Sequence, residues 1–255
     1  MQLAILGSGN VATHLGRAFL MAGHEIKAVW SRHGENAQRL SRMLNAQSVE
    51  SLADMPPAEI YIISVSDDAI AEVSQQLRYI PADAIVVHTA GSVATDVLQR
   101  EREGYGVLYP MQTFLKNKGI DMSVVPFFVE GSNNETTEKI ASLARSVSKR
   151  VRVLNSKERA RLHLAAVFAC NFVNHCFTIA DKELQKCGED ISILLPLIEE
   201  TISKIHLISP EEAQTGPAIR GDENVMRKQL ELIDDEQIRE VYRAMSNSIR
   251  QSTHL

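Results

Sequence analysis

Compact apolar runs and amphipathic runs alternate through the first part of the chain. QLAIL from Gln2, EIKAVW from Glu25, IYIISV from Ile60, AIVVHT from Ala84, GVLYP from Gly106 and PFFVEG from Pro126 are short and nearly continuous in apolar character. Strands take this form when both faces of a parallel sheet are covered. Between them, Val11–Ala22, Glu35–Leu44, Asp67–Leu77 and Thr95–Glu103 carry helical spacing, and a helix over Glu135–Lys149 with a short strand over Val151–Leu154 closes this half. Regular alternation of this kind predicts an α/β fold with a doubly wound sheet.

After Ser156 the strand pattern stops. Lys157 to about Lys186 predicts one long helix, ended by Gly188. Further helices are expected over Ile191–Leu207, Glu223–Ile233 and Asp235–Ser252, with Asp234 and Gln237 as a capping-box pair for the last. The chain therefore divides near residue 155. Residues 1–154 form an α/β domain and residues 155–255 an all-α C-terminal domain.

Composition narrows the function. With 255 residues, 27 Lys+Arg and 32 Asp+Glu, the net charge of −5 gives no basic surface for nucleic acid. A hydrophobic share of 44% with 23% charged residues is that of a folded, not a disordered, chain. No unbroken apolar run reaches the ~18 residues of a membrane span, and MQLAILGSGN has neither a basic n-region nor a cleavage site, so a cytoplasmic protein is expected. Cys170, Cys176 and Cys187 are odd in number and have no metal-ligand spacing. Cys170 and Cys176 lie in an apolar stretch and are expected as small core residues.

The most specific motif is Gly7-Ser8-Gly9-Asn10-Val11-Ala12, directly after the first strand and before an apolar helix. Gly7 permits the tight turn, Gly9 lets backbone approach a diphosphate, and Ala12 keeps the helix close to the strand. The N–H groups of the helix start, including those of Asn10 and Val11, then face the phosphate charge. This context predicts a dinucleotide-binding, Rossmann-type sheet. The second strand ends Val29-Trp30-Ser31-Arg32, without the acidic residue that holds a free ribose 2′-hydroxyl. Ser31 and Arg32 instead suit a 2′-phosphate, which favours NADP over NAD.

Ligands of such sheets sit beyond the carboxyl ends of the strands. Three polar ends follow. Val65 and Ser66 are candidates to line the nicotinamide ribose, with Ser66 or Asp67 as helix cap the competing role. His88 is a candidate cofactor contact, or a structural histidine. Ser92 is a candidate substrate ligand or a cap. Tyr109, in YPMQTF, is a candidate catalytic phenol or a packing ring.

The predicted long helix contains no Lys, Arg, Asp or Glu from Leu162 to Ala180. At about 100° per residue, His163, Asn171, Asn174 and Thr178 fall within roughly 80° of one another. Neutral hydrogen-bonding groups in that position point to a cleft or an interface, or to a buried network between helices. If the stripe is functional, His163 and Asn171 are the candidate substrate ligands or proton donors, and Asn174 is a candidate substrate ligand. In the turn-rich segment TGPAIRGD, Arg220 is placed either to clamp a substrate carboxylate or to pair with Asp222.

The segments GSGNVATHLGRAF, VWSR and ISVSDDAI, followed by a helical second half, resemble the 6-phosphogluconate dehydrogenase-like proteins. Pyrroline-5-carboxylate reductases and deazaflavin-dependent NADP reductases are similar over the first half. Through YPMQTF, HLAAVFACNFVNH and TGPAIRGD the resemblance extends over nearly the whole chain, to a bacterial family in which a Rossmann-like domain precedes a helical domain of unknown function. It implies an NADP-dependent oxidoreductase, dimeric through the helical domain. HTAGS followed by YPMQTF also resembles prephenate dehydrogenases, but Tyr109-Pro110 stands where those have His-Pro. Relatives acting on β-hydroxyacids carry a Lys four residues before an Asn, where this chain has Val167 before Asn171. The expected function is hydride transfer between nicotinamide and a small carbonyl, imine or alcohol in an interdomain cleft, with His163 replacing the lysine. A non-catalytic NADP sensor is the alternative.

Overall fold

The computed structural model describes residues 1–98 and 103–252. It falls into two compact units, Met1–Val167 and Phe168–Leu255. The first is built on eight strands: β1 (Gln2–Leu6), β2 (Glu25–Trp30), β3 (Gln47–Val49), β4 (Ile60–Ile63), β5 (Ile85–His88), β6 (Tyr105–Pro110), β7 (Phe127–Gly131) and β8 (Val151–Val153). Their order is β3-β2-β1-β4-β5-β6-β7-β8. The strands from β3 to β6 in that order are parallel. β7 then pairs antiparallel with β6 (Tyr109 opposite Phe128, Val107 opposite Glu130), and β8 is parallel to β7.

Helices α1 (Asn10–Met21), α2 (Gly34–Leu44), α3 (Ile70–Gln75) and α4 (Asn134–Arg145) cover the sheet. Leu3 and Ile5 point into one core with Ala12, Leu15 and Phe19 of α1 and Ile140 of α4. Ala4 and Leu6 point into the opposite core with Tyr61 of β4 and Ile70 and Val73 of α3. This period of two, with both sides apolar, is why the strand runs read as continuous rather than alternating. Burial of each large side chain contributes about 1.5–3 kcal/mol.

Several elements differ from expectation. β3 has only three residues, too few to form a pattern. Asp67–Leu77 begins as a 3₁₀ turn over Asp67–Ala69 and becomes α3 only at Ile70. Of the expected helix Thr95–Glu103, Thr95–Leu98 is a 3₁₀ turn and residues 99–102 lie outside the described residues. The reversal at β7 means that the sheet is mixed.

The expected long helix runs continuously from Ser156 to Gln185. It comprises α5 (Ser156–Ala166), a π-helical segment Val167–Phe172 and α6 (Val173–Gln185). Asn155 caps it: its side chain accepts from Glu158 N at 2.9 Å, and its own N–H donates to the Glu158 carboxylate at 3.0 Å. Gly188 follows its end at φ +82°, as a helix-terminating glycine should. The π segment turns less per residue than an α-helix, so the even spacing assumed for His163, Asn171, Asn174 and Thr178 does not carry across it.

The second unit continues with a 3₁₀ turn at Ile191–Leu194, α7 (Leu195–Lys204), α8 (Glu223–Leu232) and α9 (Glu236–Ser252). The cap of α9 is Asp235, which accepts from Gln237 N at 2.8 Å; Asp234, expected in that role, instead pairs with Lys186 at 2.9 Å. Cys170 and Cys176 are exposed, contrary to their expected place in a core. The same helix exposes Phe168 (61%) and Phe172 (51%), so its apolar character is not absorbed within this chain. An 18-residue window of the Ser156–Gln185 helix has mean hydropathy 1.4, long and apolar enough by composition to cross a membrane. Counting only unbroken apolar runs missed this, because an average tolerates His163, Asn171 and Asn174.

Candidate functional site

β1 stops at Leu6, and the chain turns sharply at Gly7. Its φ is +126°, and a Cβ there would lie 2.0 Å from the Ser64 carbonyl oxygen, so glycine is required twice over. Gly7 N donates to Trp30 O at 2.7 Å, which locks the loop to the end of β2. Gly9 is different: a Cβ there would meet nothing within 4 Å. Its bare side faces open space, a cradle that any side chain would partly fill.

That space is a cavity of about 420 Å³. Gly7, Ser8, Gly9, Asn10 and Val11 line one side, Ser31 and Arg32 another, and Ser64, Val65, Ser66, Thr89 and Ala90 the strand ends between. The first turn of α1 contains no acidic residue, so its N-terminal N–H groups keep their positive field. Ser8 Oγ and Ser31 Oγ are 2.8 Å apart and tie the glycine loop to the end of β2. Arg32 is exposed and, among the described residues, has no ion pair. Glycine turn, free helix N-terminus and an available guanidinium fit a dinucleotide carrying a 2′-phosphate.

Other candidates take more varied places. Ser66 precedes a 3₁₀ turn, but its side chain does not cap it. Ser92 Oγ donates to the Asp67 carboxylate at 2.5 Å, joining the ends of β4 and β5. His88 is fully buried at the end of β5, inside the core and not in the cavity wall. Burial pushes its imidazole down to about 4, and the positive charge of Arg159 pushes the same way, so the ring is neutral near pH 7. Its Nδ1 accepts from Ala90 N at 3.2 Å, fixing the start of the loop that lines the cavity.

Tyr109 and His163 come together. The Tyr109 hydroxyl lies 3.2 Å from His163 Nδ1, with the rings edge-on at 69°. Tyr109 is held at the end of β6 against Phe128. Gly91 follows the cavity-lining Thr89 and Ala90, and a Cβ there would sit 2.6 Å from His163 Nδ1 and 2.8 Å from Tyr109 Cζ. Only glycine lets the loop approach the pair this closely. Asn171, Asn174 and Arg220 belong to the second unit, and all three are exposed. Asn174 O accepts from Thr178 Oγ1 at 3.2 Å. Asp222, the suggested partner of Arg220, instead caps α8 by accepting from Val225 N at 3.2 Å.

Two contributors escaped the sequence reading. Gly91 sat in a quoted motif without a role. Arg159 is buried in α5, where it pairs with Glu130 and donates to Val93 O at 2.5 Å. Ser156 Oγ donates to Glu130 at 2.8 Å and accepts from Thr95 N at 3.2 Å. This network pins the start of α5 to β7 and to the loop after β5. One turn further on, α5 presents His163. A lone charged residue near a helix start carries no sequence signal of burial.

Residues 2–91 match the family model described as NADP oxidoreductase, coenzyme F420-dependent, and residues 125–249 match a domain of unknown function, DUF2520. A Bacteroides fragilis protein, provisionally described as an NADP oxidoreductase, is 41% identical, with 98% of each chain covered and a TM-score of 0.93. A Thermotoga maritima protein is 20% identical over 99% of this chain and 100% of its own, with a TM-score of 0.81. The imine reductase of Myxococcus stipitatus, solved in complex with NADP+, is 17% identical over 100% of this chain and 94% of its own, with a TM-score of 0.70. At these two lower identities the likeness is one of fold. No curated protein matches the chain.

Proposed function

The chain belongs to the family of NADP oxidoreductases with this two-part architecture, and on that premise we propose that it moves a hydride between nicotinamide and a small carbonyl, imine or alcohol, with Tyr109 and His163 handling the proton. It is an NADP-dependent oxidoreductase of the 6-phosphogluconate dehydrogenase-like superfamily; the substrate class and site roles are our reading. The observation that carries this reading is the Tyr109–His163 pair seated on Gly91, next to residues that line the cavity.

When bound, NADP supplies the hydride chemistry. Gly7, Ser8, Gly9, Asn10 and Val11 hold the diphosphate by backbone, and Ser31 and Arg32 hold the 2′-phosphate. Val65 and Ser66 border the nicotinamide ribose, and His88 acts from behind the wall by fixing Ala90. His163 Nδ1 is engaged by the Tyr109 hydroxyl, which leaves Nε2 as the ring atom that exchanges a proton with substrate. The phenol orients the imidazole and fixes which ring nitrogen carries the proton. Ser92, held by the Asp67 carboxylate at the strand ends, is the further residue we assign to substrate orientation. We assign residues 1–154 chiefly to the cofactor, with Ser92 and Tyr109 turned to the substrate, and residues 155–255 to the substrate and dimerisation.

We further infer a cytoplasmic homodimer acting on a small molecule, without nucleic-acid or membrane partners. The net charge of −5 and three unpaired cysteines support it, as does the apolar surface of the long helix, interrupted by His163, Asn171 and Asn174. NADPH consumption against a panel of imines, aldehydes and 2-oxo acids tests the catalytic reading. His163→Ala and Tyr109→Phe should each lower turnover by roughly a hundredfold, with NADPH affinity retained. Undiminished turnover in both would remove the pair from the mechanism.

A further inference from the structure

The later turns of α1 wall a second cavity, of about 730 Å³. Met43 of α2, residues 119–123 and the turn after α4 at Ser146 and Val147 close its other sides. It shares no lining residue with the cofactor cavity. Its size is that of a small-molecule site, and most of its wall is apolar, with Met21, Met43, Ile120 and Met122 prominent. Met21 and Met43 remain exposed. Unbranched thioether side chains of this kind adapt to the shape of an apolar occupant.

Two polar groups in this wall are uncommitted. His14 is buried, yet among the described residues only one of its ring nitrogens has a hydrogen-bond partner: Nε2 donates to Leu115 O at 2.9 Å. A carbonyl only accepts, so Nε2 carries the proton and Nδ1 of the neutral ring is a bare acceptor. Among the described residues, the buried side-chain atoms sealed from solvent without a partner are His88 Nε2 and Arg159 Nε. His14 Nδ1 is therefore not sealed, and the cavity is where His14 reaches open space. The Leu115 bond and the ring of Phe114, 5.0 Å away, hold the imidazole in place. Arg17 stands three residues further along the same helix face, exposed and, among the described residues, without an ion pair. Other polar groups of the wall are committed: Asp121 accepts from Ser123 N at 2.9 Å, and Ser146 Oγ donates to Leu143 O at 2.7 Å. We propose that this cavity is a second ligand site, for a small apolar carboxylate with a hydroxyl or N–H donor at its opposite end. The donor meets His14 Nδ1, the apolar body lies among the methionines, and the carboxylate meets Arg17.

Calorimetric titration of the full chain with para-hydroxybenzoate, benzoate and phenol tests each contact, and none of these readouts uses the redox reaction. Para-hydroxybenzoate should bind at one saturable site. Benzoate should bind about fivefold more weakly for the lost hydrogen bond, and phenol about tenfold or more for the lost charge-assisted one. Arg17→Met, a surface change, should bring para-hydroxybenzoate down to the affinity of phenol. His14→Phe keeps a ring and should make para-hydroxybenzoate and benzoate equivalent. Should that variant fold poorly, Met43→Trp, which fills the cavity from an exposed position, should abolish binding at an unchanged melting temperature. NADPH should not displace para-hydroxybenzoate. The proposal is overturned by any of these: no saturable binding of para-hydroxybenzoate at millimolar concentration, equal affinity for all three probes, full affinity in Arg17→Met or in Met43→Trp, or displacement by NADPH.

Discussion

The two units solve the burial of apolar surface in opposite ways. In Met1–Val167, strands β1, β4 and β5 are covered on both faces, and Leu3, Ile5, Leu6, Ile62 and Val87 are at most 1% exposed. In Phe168–Leu255 only Ala218 and Met226, among the described residues, reach the buried class, while Phe172, Leu195, Leu197, Ile202, Ile205 and Leu207 remain exposed. One unit carries its own core. The other is a set of helices that leaves much of its apolar surface exposed, the surface on which the proposed self-association would rest. Conservative chemistry, a cofactor cradle, sits on the self-sufficient part.

The largest expected effect would break this contrast outright. Phe168 and Phe172 meet edge to face at 5.0 Å on the surface of the long helix. Replacing both with Glu should weaken self-association on the order of a thousandfold or more, given about 1.5–3 kcal/mol per buried ring. Sedimentation should show the parent at twice the chain mass and the variant at one. A parent that sediments as a single chain at micromolar concentration would sink the homodimer. Next comes a test inside the first unit. Glu130→Ala leaves the Arg159 charge buried without its partner, and denaturant unfolding should register a loss of about 3–5 kcal/mol.

His88 gives a somewhat smaller effect with a pH signature. Its folded value of about 4 lies below the ordinary 6.5, so the unfolded chain binds the proton first as pH falls. The stabilisation is whole above pH 6.5 and is lost between pH 6.5 and 4, about 3 kcal/mol in all. His88→Gln should flatten that stretch of the stability curve; an unchanged slope would mean that another group drives it. The smallest effect is at the start of α5. Asn155→Ala removes the cap of α5 and should cost about 1 kcal/mol, read as a modest fall in melting temperature without change in association.

Legibility follows the same divide. The glycine loop, the six main strands and α1 could be read because strand period and loop chemistry are local properties. The direction of β7 could not, since nothing within PFFVEG distinguishes a parallel from an antiparallel neighbour. Asp234 and Asp235 are adjacent, and only the presence of Lys186 48 residues earlier decides which one caps. Tyr109 and His163 were each visible as candidates, yet their meeting depends on Gly91, 54 residues of separation and the path of α5. The exposure of Cys170 and Cys176 was hidden because apolar composition does not say which chain covers it.

The reversal of β7 and β8 has a consequence for how the molecule tolerates change in length. Because β8 runs against β6, α5 sets out from the end of the sheet where Glu130 lies and advances toward the end where Tyr109 lies. From Arg159, clamped on Glu130, to His163, beside Tyr109, it works as a gauge block. Each residue adds about 1.5 Å of travel and about 100° of rotation. A single insertion or deletion between these two positions would swing His163 off Tyr109 while leaving every strand intact. Indels accepted elsewhere on the surface should therefore be refused in this one turn of helix.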